Sequence, residues 1–369
     1  MTHVHARKKV RGLTLVELVL ALGLLALLMV GLIQLLDRSL SLWRRGETQR
    51  SLTEQGAILA DLMAEDLRGI EGGEPGDLLA EWVRFDTDGD GIAEAKWPRL
   101  RMVRALSAAD TERVLARSSP PERGKFEKSA PSAALSEVIW LVAPASVRDR
   151  EARAEGRLWR GERLTSDART KSFFAPDFMG TSNQPPGGVT DEVSDGVLWL
   201  AWMFATPTSV VHDAWELGTD ARDAATAWDA WSLGRPDREA HPYNAPRADE
   251  PAGGAQTERP RLPRRVRIEI ELERASDRAR RTFLSEAAEQ GDAALVVDDA
   301  SRLPRSEEAF VLVDAEWMRL GAIDGDRAAI TRAERGTQRA RHEKGAMVHY
   351  GFRHVRDVRL AAAREEWKP

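Results

Sequence analysis

Apolar residues are distributed very unevenly along this chain. From Leu13 to Leu36 the sequence reads LTLVELVLALGLLALLMVGLIQLL, and Glu17 is its only ionisable side chain. A helix of that length extends about 36 Å at ~1.5 Å per residue, enough to cross a hydrocarbon layer of ~30 Å with some tilt. After it, Leu36, Leu40, Trp43, Leu52, Leu59, Met63, Leu67 and Ile70 recur at intervals that fit one helical face. The pattern predicts a helix over 13–71, with a break near Gly46 or Gly56 and an end at Gly72-Gly73-Glu74-Pro75-Gly76. Beyond it the period changes to two. Glu81–Phe85, Leu100–Leu106, Glu137–Ala143, Arg157–Leu164, Val197–Phe204 and Val266–Glu273 read as short strands. Ser118–Ala134, Thr181–Gly188 and Gly234–Pro263 are Pro-, Gly- and polar-rich and read as exposed loops. The expected fold class is α+β: a long N-terminal helix, a mainly antiparallel β head over 77–274, and a further small all-β unit.

Composition narrows the functions. The 369 residues carry 54 Lys and Arg against 59 Asp and Glu, a formal charge of −5. Hydrophobic residues make up 42% and charged ones 31%, which excludes a fully disordered chain and a many-span transporter. The absence of cysteine removes disulfides, thiol nucleophiles and thiolate zinc sites. The mild acidity argues against a general nucleic-acid binder, so no nucleic-acid partner is expected. The 12 tryptophans sit mostly in or beside the strands, which assigns them to packing rather than to a sugar platform.

The first helix carries the sharpest chemical signal. Arg7, Lys8, Lys9 and Arg11 precede it, and Arg38, Arg44, Arg45 and Arg50 match them on the far side, so charge alone leaves orientation open. A secretory signal has the same basic-then-apolar order, but its apolar core is ~7–15 residues and a small-residue cleavage site follows. A carboxylate inside an apolar helix costs roughly 2.5–3.5 kcal/mol, so Glu17 calls for a partner unless it snorkels to the surface or stays protonated.

Gly12-Leu13-Thr14-Leu15-Val16-Glu17-Leu18, behind its basic leader, resembles the processing site of type IV prepilins and of type II secretion pseudopilins. The resemblance implies that a prepilin peptidase cuts after Gly12 and methylates Leu13, leaving Glu17 as the acid of the mature helix. Leu13 departs from the Phe usual in that family. The implied organisation is a leader over 1–12, a pilin-like helix over 13–71 with a membrane span at 13–36, and a chain beyond Asp37 outside the cytoplasm. Loss of the leader would move the formal charge from −5 to −9, since four basic residues leave with it.

Several head segments look like minor pseudopilins of the J type: Ser136-Glu137-Val138-Ile139-Trp140, Gly156-Arg157-Leu158-Trp159-Arg160, the Trp228…Trp231 segment, and Leu262-Pro263-Arg264-Arg265-Val266-Arg267-Ile268. With the N-terminus, this resemblance spans roughly residues 8–274. It implies a non-enzymatic inner-membrane subunit with one span and a periplasmic C-terminal domain, placed near the tip of a secretion pseudopilus. Its implied partners are the prepilin peptidase, the I-type and K-type minor pseudopilins, the major pseudopilin and inner-membrane lipid. A minor pilin of a type IV pilus or DNA-uptake filament shares the same helix. A membrane-anchored extracytoplasmic enzyme or glycan-binding protein is the rival from another class; no GxSxG, HExxH or phosphate-binding glycine loop supports it.

Two further features stand apart. Asp86, Asp88 and Asp90 alternate around glycines, and the Ile92 carbonyl and Glu94 could complete an oxygen shell for calcium. Trp97 occupies the twelfth position, where an EF-hand has its bidentate Glu, and an Asp-Gly turn between two strands is the competing reading. Over 280–350 the texture changes. Glu316-Trp317-Met318-Arg319-Leu320 and Arg335-Gly336-Thr337 to His342 and Gly345-Ala346 look like a small all-β module of phage tail and other surface proteins. Phe352–Arg364 again resembles a head strand, so 352–369 reads as the last head strand and tail, with the module inserted before it. His342 has no nucleophile or carboxylate at a recognisable spacing, which assigns it to a structural hydrogen bond.

Overall fold

The computed structural model describes residues 15–73, 76–85, 95–117, 134–144, 155–167, 170–175, 178, 188–205, 228–230, 262–263, 265–274, 281–305 and 309–361. One N-terminal apolar helix precedes mostly antiparallel β-sheets, so the fold is α+β. The chain divides into an N-terminal unit that ends at Leu52 and a larger unit that begins at Thr53.

Helix α1 runs unbroken from Leu15 to Arg68, 54 residues, and the break expected near Gly46 or Gly56 is absent. One glycine weakens a helix by only about 1 kcal/mol. Gly46 has open space where a side chain would stand. Gly56 serves close packing instead: a Cβ there would lie 3.1 Å from the Cβ of His354. Farther along, Leu59, Met63 and Leu67 are fully or almost fully buried in the core of the larger unit. The helix stops before residue 71 because the chain turns to pair with strand backbone. Ile70 bridges Arg104, the Glu71 N–H donates to the Val103 carbonyl at 2.9 Å, and the Ala105 N–H donates to the Gly69 carbonyl at 2.9 Å.

The first sheet is built from β1 (Leu78–Phe85), β2 (Ala95–Leu106), β3 (Ala134–Pro144), β4 (Gly156–Leu164), β5 (Thr190–Ala205), β6 (Trp228–Asp229) and β7 (Arg265–Leu272). A ten-residue helix, α2 (Ala108–Arg117), follows β2. The second sheet contains β8 (Thr282–Phe283), β9 (Ala294–Val296), β10 (Phe310–Val313), β11 (Glu316–Asp324), β12 (Arg327–Glu334) and β13 (Met347–His349). The chain then returns to the first sheet as β14 (Phe352–Arg359), which pairs antiparallel with β7 along its whole length. The strand orders are β14-β7-β5-β4-β3-β2-β1-β6 and β8-β13-β10-β11-β12-β9. Residues between β7 and β14 thus form a separate sheet spliced between two paired strands. Gly351 stands at the return, where a Cβ would fall 2.8 Å from the Leu272 carbonyl oxygen.

The first sheet curls. Three strands separate β1 from β5 in hydrogen-bonded order, yet the rings of Trp82 and Trp199 lie 5.5 Å apart, and those of Phe204 and Trp228 lie 5.6 Å apart. Trp140 and Trp202 are among the largest fully buried side chains, consistent with packing duty for tryptophan. The second sheet closes over its own core of Val311, Val313, Met318, Ala328 and Val348.

Asp66 fastens the end of α1 to the first sheet. Its carboxylate accepts from Arg104 at 2.7 Å, from both Nε and Nη2 of Arg160 at 2.9 and 2.8 Å, and from Trp140 Nε1 at 2.8 Å. Glu162 takes the remaining charge, 2.8 Å from Arg104 and 3.1 Å from Arg160. Removing one partner from such a cluster strands buried charge, which typically costs 3–5 kcal/mol. Asp66→Ala is therefore expected to lower stability by about 3–5 kcal/mol in denaturant titration of the detergent-solubilised protein, whereas Glu65→Ala, one residue away on the exposed side, shifts it by less than about 0.5 kcal/mol.

Candidate membrane anchor and buried charge clusters

The apolar part of α1 is the strongest functional feature among the described residues. Leu18–Asp37 has a mean hydropathy of 2.7 and none of it is buried, so this helix is long and apolar enough to cross a membrane. Leu15 is 79% exposed and Leu27 73%. Side chains of this kind, exposed all around a helix, are stable only in lipid or against another apolar surface. Glu17 lies in the first turns of α1, and its side chain is outside the described residues, as are Gly12 and Leu13.

The acidic loop expected to hold calcium, with Asp86, Asp88, Asp90 and Glu94, also lies outside the described residues. Its flanks are described: Phe85 stands opposite Ala95 in the β1–β2 ladder, so residues 86–94 connect an antiparallel hairpin. Among the described residues no group of His, Asp and Glu is arranged to hold a metal ion.

Inside the larger unit, charge is buried in five further clusters, each joining residues from different segments of the chain. Glu81 of β1 takes Arg99 and Arg101 of the neighbouring strand. Arg101 also donates to the Phe173 carbonyl at 3.0 Å. Glu137 of β3 meets Arg163 at 2.6 Å and accepts from the Phe173 N–H at 2.7 Å. Both clusters hold the 170–175 segment on the sheet, where Phe173 and Phe178 cover Ile139 and Leu141.

The second sheet contains the cluster around His342. The ring is fully buried, with Nδ1 2.7 Å from Asp314 and Nε2 2.9 Å from Glu316. Glu316 also accepts from Arg332 Nη2 at 2.6 Å and from the N–H groups of Ala340 and Ala333. His342 therefore does have carboxylate neighbours, 28 and 26 residues earlier in the chain, and sequence spacing gives no sign of them. The imidazole is clamped at both nitrogens, which suits it to holding the 335–345 segment against β10 and β11.

The two sheets meet through Arg335. Its guanidinium lies 4.2 Å from the ring centres of Phe310 and Trp317 and 4.8 Å from that of Trp199, while its ion pairs to Glu269 and Glu271 measure 3.0 and 2.8 Å. Around it, Leu198, Ala201 and Leu312 form a buried apolar seam. Where the inserted sheet leaves and rejoins the first one, Glu273 pairs with Arg281 and lies 2.8 Å from His349 Nδ1, and Arg281 stacks 3.7 Å over Tyr350. The inserted sheet is thus fixed at its root and at its side.

Comparison of the chain with protein-family models, with curated proteins and with solved structures gives no match.

Burial by itself would raise the Glu316 carboxyl pKa, but Arg332, the Ala340 and Ala333 N–H groups and His342 together hold it down, at about 2. A depressed native pKa stabilises the fold above the unfolded value near 4.5 and loses that contribution as pH falls from there toward 2. The melting temperature is expected to fall between pH 5 and pH 2, and Glu316→Gln to melt lower at pH 7 and to lose part of that acid-dependent slope. An unchanged slope in Glu316→Gln would show that Glu316 does not carry it.

Proposed function

We propose that the chain is a membrane-anchored structural subunit, a minor pseudopilin of the J type in a type II secretion system. The observation that carries this reading is a helix unbroken from Leu15 to Arg68, whose apolar stretch Leu18–Asp37 has none of its length buried, together with a sequence in which Glu17 follows Gly12-Leu13 as the only ionisable residue of 13–36. An anchor for an unrelated head needs neither the acid at that offset nor an uninterrupted helix. The antiparallel β head, into which the same helix sends Leu59, Met63 and Leu67, is compatible with a pilin-like subunit.

In this reading a prepilin peptidase cuts after Gly12 and methylates Leu13. The new α-amine, with a reference pKa of ~7.7–8.0, is a cation at the end of an apolar helix. Glu17 of one subunit meets the amine of a neighbour, with ~4 kcal/mol of attraction at ~4 Å and an effective dielectric of ~20. The pairing sets the register between stacked helices, because either charge alone is expensive in lipid. The subunit rests in the inner membrane with its β domain in the periplasm. There it joins the I-type and K-type minor pseudopilins and the major pseudopilin near the tip of a short filament.

Glu17→Ala is expected to be processed and inserted normally but to lose at least ten-fold in cross-linking to neighbouring subunits within the membrane. Glu17→Asp, which keeps the charge, should recover part of that loss. Wild-type cross-linking of Glu17→Ala would contradict the reading.

A further inference from the structure

The fully buried ring of His342 faces two carboxylates. Nδ1 lies 2.7 Å from Asp314 Oδ2, in the turn between β10 and β11, and Nε2 lies 2.9 Å from Glu316 Oε2 at the start of β11. An ionised carboxylate only accepts hydrogen bonds, whereas a neutral imidazole carries one N–H and one lone pair. Glu316 decides the Nε2 side. Both of its oxygens accept from Arg332, and the Ala333 and Ala340 N–H groups add one bond to each, so Glu316 is held ionised and the facing nitrogen has to donate. A neutral ring with its proton on Nε2 would then turn a lone pair toward Asp314 at hydrogen-bond distance. The Asp314 side chain is 61% exposed, and an exposed carboxylate is ionised at neutral pH. Only an imidazolium makes both contacts at once.

This proton sits at a joint. The backbone of His342 exchanges both of its hydrogen bonds with Ala288, each at 2.9 Å, so the 285–292 stretch holds one side of the histidine's segment and the ring holds the other to the β10–β11 turn. The charged groups that face the ring are Asp314, Glu316 and, across Glu316, Arg332, which also donates to the Glu289 carbonyl. Arg341 and the carboxylates of Glu289 and Glu343 pair with one another at the exposed surface, at 3.3 and 3.6 Å. At the other end of the same segment stands Arg335, whose guanidinium joins the two sheets. Asp314 and Arg335 have φ of 51° and 52°, a left-handed conformation that a residue other than glycine keeps only where contacts hold it.

We infer that His342 is a proton-operated catch: charged, it ties the β10–β11 turn to the 335–345 segment and so steadies the contact of the inserted sheet with the first sheet; neutral, it keeps Glu316 and releases Asp314. The sign follows from the bonding. The closed arrangement binds one proton more than the released one, so the catch is shut on the acid side and opens as pH rises through the imidazole range, about pH 5 to 8. Release is local, because the Nε2–H bond to Glu316 survives in the neutral ring and Arg332 still holds that carboxylate. The device is distinct from the acid sensitivity of Glu316, which acts at lower pH and in the opposite sense. It is also independent of the anchor reading, since it uses only residues of the larger unit.

The test uses the full chain in detergent micelles, with nitrogen-15 in its histidine rings and the His342 signals assigned by their loss in His342→Gln. Both ring nitrogens of His342 are expected to be protonated at about pH 5, and Nδ1 alone to lose its proton as the sample is brought to about pH 9. Over the same range, hydrogen exchange at 314–315 and 335–345, corrected for its intrinsic pH dependence, should quicken at least five-fold, while the β12 and β13 amides keep their protection. Asp314→Asn separates the catch from general loosening. Its side-chain N–H donates to a neutral Nδ1, so the joint stays shut at either pH and the difference in exchange should vanish, with melting as the check that this exposed substitution keeps the fold. The inference is overturned by an unprotonated Nδ1 throughout, by a ring that holds both protons to about pH 9, by exchange that does not follow the ring, or by an equal pH effect in Asp314→Asn.

Discussion

A run of large apolar side chains that the chain itself does not cover is the constraint on which the rest of this protein depends. Over Leu18–Asp37 none of α1 is buried, and water is a poor solvent for it. Lipid satisfies this surface, and so does a bundle of similar helices. A carboxylate at the start of such a run changes the problem, because it is costly there unless it reaches the surface, stays protonated or meets a cation. The pairing of Glu17 with a neighbour's freed amine would solve both needs at once, which is why the anchor and the assembly reading belong together.

The larger unit shows another use of charge. Asp66, Glu81, Glu137, Glu273 and Glu316 are all buried, and each is met by at least one arginine. Buried ion pairs add little net stability over apolar packing, but breaking one is expensive, so they penalise wrong arrangements. Here they lie where elements from distant parts of the chain must meet: helix on sheet at Asp66, the covering segment at Glu137, and the inserted sheet at Glu273 and Arg335. Arg335 suits its place better than Lys would, because a planar guanidinium can stack on Phe310 and Trp317 while pairing with two carboxylates.

Much of the fold was legible in local pattern. Glu81–Phe85, Leu100–Leu106, Glu137–Ala143, Arg157–Leu164 and Val197–Phe204 all lie within β1 to β5, because each has at least one buried face that its residues announce. Thr190–Gly196 escaped notice. It extends β5 with half-exposed polar residues, so its period-two signal is faint. α2 also escaped, although Ser107 carries a readable cap: its hydroxyl accepts from the Asp110 N–H at 3.1 Å and donates to the Asp110 carboxylate at 2.7 Å. The glycines of α1 suggested a break because sequence does not reveal that His354 packs against Gly56. The charge clusters were illegible for the same reason. Asp66 and Arg160 are 94 positions apart, and only tertiary folding joins them. The apolar run was legible because hydropathy is a local property, whereas the partner proposed for Glu17 would lie on another chain.

The central claim, that the helix is exposed to assembly by cleavage beside Gly12, is tested most directly by mass spectrometry of the intact protein isolated from its own membrane. The account predicts a chain that begins at Leu13 and carries one added methyl group on its amine. A chain that retains Met1, or one cut beyond Leu36, would contradict it.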